Sequence, residues 1–147
     1  MGSTFSSLRA HIVFSTKERR PFIRDDWRAG LHGYLGGTIK GLSAIPEAIG
    51  GVGDHVNLLV SYGPVLAIAD FVRELKKASS VWAAENHESA FRWQDGYSVF
   101  SVSASQKQRV TSYIETQEEH HRKLSFREEL ESLLIRHEIE FRPEYLE

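Results

Sequence analysis

Polar and apolar residues alternate from Ser7 to Ser15 through Leu8, Arg9, Ala10, His11, Ile12, Val13 and Phe14. That period of two, with β-branched residues in it, predicts a half-buried strand. Lys17 to Phe22 reads as a loop broken by Pro21, after which Asp25 or Asp26 is expected to cap a helix running to about Lys40, with Leu31, Tyr34, Leu35 and Ile39 along one side. A second strand is expected from Leu42 to Ile49, then a glycine-rich turn over Gly50, Gly51, Val52, Gly53 and Asp54, then a third strand, His55 to Ser61, pairing back as an antiparallel hairpin. Gly63 and Pro64 end it. Ile68, Phe71, Val72, Leu75, Ser79 and Trp82 recur at helical spacing, which predicts a helix from about Leu66 to Glu85. The turn Trp93 to Tyr97 leads into a fourth strand, Ser98 to Val102. Ser103 to Ser105 are expected to cap a helix that continues through Val110, Tyr113, Ile114 and Gln117 to about Lys123, and a last helix should run from near Ser125 to His137.

The order strand, helix, strand, strand, helix, strand, helix, helix fits an α+β fold of the ferredoxin-like (RRM-like) kind. The expectation is an antiparallel sheet of about four strands with helices on one face, and an extra C-terminal helical segment carrying Tyr113. At 147 residues, 41% of them hydrophobic, the chain has the size and apolar content of one domain, and neither an internal repeat nor a linker marks a boundary within residues 1–147.

Composition narrows the chemistry. With no cysteine, a disulfide framework and a thiolate zinc site are both excluded, so any metal must be held by nitrogen and oxygen donors. No stretch reaches the roughly 20 apolar residues that a membrane helix needs, and the N-terminus lacks the basic start and apolar run of a secretory signal, so a cytoplasmic protein without membrane contact is expected. No nucleotide-cofactor motif is present. The net charge of -2 argues weakly against binding nucleic acid, yet it is unevenly spread. From Glu115 onward there are ten acidic and five basic residues, which leaves residues 1–114 net positive. Lys17, Arg19 and Arg20 form a basic loop, and Arg73, Lys76 and Lys77 a second cluster on a helix. Both are candidate contacts to a nucleic-acid backbone, the loop ahead of the helix.

Two constellations could carry chemistry. In the strand His55-Val56-Asn57, alternation sends side chains 55 and 57 to the same face, so an imidazole and an amide oxygen converge. In Tyr113-Ile114-Glu115-Thr116-Gln117, the four-residue spacing stacks a phenol and an amide on one helix side. A phenol, with an ordinary pKa of about 10, is a poor nucleophile at neutral pH and needs a polarised phosphate or a proton acceptor beside it. His121, eight residues beyond Tyr113, shares that side, but a solvated helix end is the simpler reading for it and for His120.

Three stretches carry a resemblance: Gly53 to Val60 (GDHVNLLV), Trp93 to Ser103 (WQDGYSVFSVS) and Tyr113 to Lys123 (YIETQEEHHRK). With the N-terminal strand, they resemble the single-tyrosine transposases of the HUH endonuclease superfamily over nearly the whole chain. The resemblance implies that His55, Asn57 and Gln117 hold a divalent cation, Mg2+ or Mn2+, and that Tyr113 attacks the scissile phosphate. It also implies nicking and strand transfer of single-stranded DNA with hairpin ends, a 5'-phosphotyrosine intermediate, no ATP, and a homodimer. Asn57 stands where the family has its second histidine. A DNA-binding protein on the same fold, impaired in cutting or domesticated, is therefore the competing expectation.

Overall fold

The computed structural model describes residues 2–146. Four strands, β1 (Leu8–Ser15), β2 (Ile45–Val52), β3 (His55–Tyr62) and β4 (Ser98–Ser101), form one sheet in the order β2-β3-β1-β4, with every neighbouring pair antiparallel. Five helices follow the expected order: α1 (Asp25–Gly41), α2 (Ile68–Asn86), α3 (Lys107–Glu115), α4 (Gln117–His120) and α5 (Phe126–Arg136). The α+β architecture expected from the periodicities is present. Among the described residues, no helix is long and apolar enough to cross a membrane.

The core follows from the alternation. Ala10, Ile12 and Phe14 of β1 and Val56, Leu58 and Val60 of β3 point to one face, where they meet the stripe Trp27, Leu31, Leu35 and Ile39 of α1 and Phe71, Val72, Leu75 and Ala83 of α2. Each of the larger side chains removed from water contributes about 1.5–3 kcal/mol before entropy is counted. The polar member of that stripe, Ser79, is satisfied: its hydroxyl donates to the Leu75 carbonyl at 2.8 Å and accepts from Trp93 Nε1 at 2.9 Å. Trp82 stacks on Tyr34, at 5.1 Å between ring centroids, so it packs between helices.

Four local expectations differ from the structure. Ser103 to Ser105 do not cap α3, whose N-cap is Gln106 without a side-chain bond. Asp25 and Asp26 lie in the first turn of α1, and the N-cap is Arg24 without a side-chain cap; the two carboxylates still favour the positive end of the helix. β2 begins three residues later than the pattern suggests and runs through Gly50, Gly51 and Val52, so the turn shrinks to Gly53 and Asp54. The helix expected to run unbroken to Lys123 breaks at Thr116, between α3 and α4. Ser125 does cap α5, in a reciprocal pair with Glu128.

The larger difference concerns the second sheet face. Helices cover both faces, because the C-terminal segment folds back over the side that α1 and α2 leave open. There Val13 and Phe100 pack against Phe126, Leu133, Leu134 and Leu146, while Ala48, Leu59 and Val102 pack against Ile114. A polar cluster lies on the same face as these two apolar patches.

Candidate active site

β3 turns His55 and Asn57 toward the C-terminal segment, opposite Ser15 and Val13 of β1, and both are fully buried. On the other side, Gly50 of β2 is the partner of Asn57. A Cβ on Gly50 would stand 2.0 Å from the carbonyl oxygen of Ile114, so only glycine lets α3 lie this close to the sheet. Gly51, at φ +152°, would bring a Cβ within 2.3 Å of the His55 carbonyl and is equally constrained. Gly50 thus lets the tyrosine helix down onto the sheet, and Gly51 lets β2 lie close against the strand of His55.

The buried side chains form one hydrogen-bonded network. His55 Nε2 donates to Gln117 Oε1 at 2.9 Å, and Asn57 Nδ2 donates to the same oxygen at 2.9 Å and to Glu129 Oε1 at 3.2 Å. Glu129 Oε2 accepts from His121 Nε2 and lies 3.6 Å from His55 Nε2. With its amide nitrogen facing two oxygens, Asn57 turns its own oxygen away, 2.7 Å from His11 Nε2, which donates to it. The reversed amide would set an oxygen against Gln117 Oε1 and Glu129 Oε1, three acceptors with no proton between them.

Asp54 completes the arrangement from outside: its carboxylate accepts from His55 Nδ1 at 2.7 Å and fixes the ring with Nε2 pointing inward. Carboxylates commonly orient metal-binding histidines in this way. The ligand atoms of His55, His121 and Glu129 all lie within 4.8 Å of one another, so these three form a group that can hold a metal ion. With Gln117 Oε1 alongside, the donors are two imidazoles, an amide oxygen and one carboxylate, a set that suits a divalent cation.

The electrostatics suit a cation too. Burial opposes charge on His55, but the Asp54 and Glu129 carboxylates outweigh it and hold the imidazole up at about 9. Burial works against the Glu129 carboxylate as well, yet His121 and His55 keep it far below the usual carboxylate range. Burial pushes the Tyr113 phenol well above its ordinary value; Glu129 adds to this, and Gln117 opposes it. The Tyr113 ring lies edge-on to that of His11, 6.0 Å between centroids, and His11 is bonded to Asn57, so the tyrosine borders the buried network within one chain.

Of the residues expected at this site, His55, Asn57, Tyr113 and Gln117 come together. His121 and Glu129 join them unanticipated, with side chains only 8% and 3% exposed. The reading of His121 as a solvated helix end is thus corrected; burial under α5 removes it from water. An acid inside the apolar stripe Phe126, Glu129, Leu133 was the available sign for Glu129.

The basic residues divide between partners within the protein and one shared depression. Arg19 donates to the Leu146 carbonyl and lies over the Phe126 ring, and Lys76 donates to the carbonyls of Gln94 at 2.6 Å and Gly96 at 2.9 Å. Arg73 pairs with Asp70 and Glu74, and Arg20 with Glu18, all at the surface. Lys17 and Lys77 meet Lys76 and Arg92 around one shallow depression of about 330 Å³.

Comparison with known proteins now adds to this geometry. Residues 4–117 match the family described as "Transposase IS200 like". The chain belongs to this family, the single-tyrosine transposases of the HUH group. It is 30% identical over 119 residues to the ISDra2 transposase TnpA of Deinococcus radiodurans, an alignment covering 75% of this chain and 84% of that protein. A 1.90 Å crystal structure of a protein from Deinococcus radiodurans R1, assigned as a transposase, superposes with a TM-score of 0.64 at 27% identity, covering 80% of this chain and 95% of that one. The REP-associated tyrosine transposase bound to a REP hairpin shares the fold, with a TM-score of 0.57 at 12% identity over 79% of this chain and 72% of that one. His121 and Glu129 lie beyond the family-matched stretch.

Proposed function

We propose that this protein nicks and rejoins single-stranded DNA through a covalent 5'-phosphotyrosine on Tyr113, acting as a single domain and as a homodimer on hairpin ends. The observation that carries this reading is the Tyr113 ring packed edge-on against His11, 6.0 Å between centroids, where His11 is bonded to Asn57 of the buried cluster that contains His55, Gln117 and Glu129. Membership of the transposase family supports it.

In the proposed step the Tyr113 oxygen attacks the scissile phosphorus, a P–O bond to tyrosine forms and the bond to the 3'-oxygen breaks. The phenol gives up one proton and the departing 3'-hydroxyl gains one. The phosphodiester energy is kept in the covalent enzyme, so a second hydroxyl can reverse the step without ATP. A divalent cation, Mg2+ or Mn2+, would polarise the phosphate and offset the Glu129 charge that disfavours a phenolate.

His55, Glu129, His121 and Gln117 would hold that cation. Asn57, whose oxygen is engaged by His11, acts instead as a strut that donates to Gln117 and Glu129 and keeps them in place. Lys17 and Lys77 remain available for the DNA backbone, and the exposed ion pairs of Arg20 and Arg73 are weak enough to open onto it, whereas Arg19 and Lys76 are engaged by the protein itself.

The test is incubation of the protein with hairpin single-stranded DNA and Mn2+, followed by denaturing electrophoresis. A covalent adduct that disappears in Tyr113→Phe is expected; an adduct that persists in that variant refutes the nucleophile. The same Asn57 geometry also favours a second reading, a DNA-binding protein that does not cut. That reading predicts salt-sensitive DNA binding indifferent to metal, and no adduct on any hairpin end.

A further inference from the structure

A cavity of about 770 Å³ opens beside Tyr113, between α3 and the end of α5. It lies within the roughly 300–1,000 Å³ of sites that enclose small organic ligands. Tyr113 and His11 form one wall, Gln106 and Arg109 come from the start of α3, and Arg136 and His137 from the end of α5. Its apolar lining comes from Val102, Val110 and Leu133.

The charge of this cavity is selective. The segment from Glu115 onward contains ten acidic and five basic residues, yet none of those acids lines the cavity, and Arg136 and His137 do. Neither Arg109 nor Arg136 makes an ion pair or side-chain hydrogen bond among the described residues, whereas Arg28, Arg73 and Arg127 each pair with an acid. Two unpaired guanidiniums facing a space without carboxylates are suited to an anion, and guanidinium geometry matches phosphate oxygens in particular. The apolar lining and the amide of Gln106 add a surface for a sugar and a base edge.

We infer that this cavity receives one unpaired nucleotide of the DNA strand, its phosphate held between Arg109 and Arg136. The inference rests on the strand-transfer reading above and deepens it: a nucleotide seated here abuts the nucleophile, which lines the same space. A volume of this size suits one extruded nucleotide, not a stretch of duplex. The C-terminal segment, outside the family-matched residues, thereby supplies one of the two arginines.

The experiment titrates each of the four deoxynucleoside 5'-monophosphates into the metal-free full-length protein, followed by heteronuclear NMR. At least one should bind and shift the resonances of cavity residues. Its dissociation constant should rise about tenfold or more in Arg109→Ala/Arg136→Ala, with partial recovery in Arg109→Lys/Arg136→Lys. Arg122→Ala/Arg142→Ala, which removes the same charge from exposed positions elsewhere, should bind as the unaltered protein does. Equal weakening by the two alanine pairs overturns the inference, as does the absence of cavity shifts with every nucleotide up to roughly 10 mM. Binding that depends on Arg109 and Arg136 without an adduct on any hairpin end would leave the cavity standing and remove the nicking reading. An adduct formed by Arg109→Ala/Arg136→Ala at unaltered KM would do the reverse.

Discussion

The Ile114 carbonyl oxygen occupies the place where Gly50 would carry a side chain, 2.0 Å from the position of a Cβ. This contact sets the height of α3 above the sheet, and with it the position of Tyr113. Gly50→Ala must push α3 outward. It should cost about 1–3 kcal/mol in urea unfolding, as overpacked cores do, and should reduce Tyr113 adduct formation far more than that loss of stability explains. Unaltered adduct formation in a folded Gly50→Ala protein would contradict this.

Asn57 is the donor that separates two oxygens in the buried cluster. Asn57→Asp keeps the shape but sets a carboxylate against Glu129 and Gln117 Oε1. Without metal the variant should lose about 2–4 kcal/mol at neutral pH, because an unpaired charge is buried beside a like one. Mn2+ should restore more stability to it than to the unaltered protein, measured as the shift in thermal midpoint. An equal Mn2+ shift in both proteins would refute the strut role.

His32 lies on α1, and burial, helped by Arg28, lowers its pKa from 6.5 to about 4; its Nε2 is buried without a partner. The unfolded chain takes up this proton below pH 6.5 and the folded chain only near pH 4. Stability from this residue is therefore intact above pH 6.5 and falls as pH drops from 6.5 toward 4, by roughly 2–3 kcal/mol in all. His32→Phe should flatten that part of the stability profile in urea titrations between pH 7.5 and 4. An identical slope in both proteins would rule His32 out as its source.

Two adjacent lysines should separate by role. Lys76 holds the carbonyls of Gln94 and Gly96, so Lys76→Ala should destabilise the fold by about 1–3 kcal/mol. Lys77 has no such partner among the described residues, and Lys77→Ala should leave stability within about 0.5 kcal/mol while reducing the salt dependence of DNA binding. The reverse pattern in denaturation and anisotropy measurements would exchange the two roles.

The sequence by itself determined the order of the strands, the first two helices and the four-residue spacing of Tyr113 and Gln117, because each depends on a local period of two or of three to four residues. The same alternation put His55 and Asn57 on one face. It could not decide what that face would meet. His11, Asn57, Gln117 and Glu129 are joined by hydrogen bonds spanning 46 to 72 residues of chain, and no local periodicity encodes contacts at that separation. Only the tertiary fold, by laying α5 over the face that α1 and α2 leave open, buried His121 and Glu129 with His55. Burial then set the Asn57 amide nitrogen against Gln117 and Glu129 and its oxygen against His11.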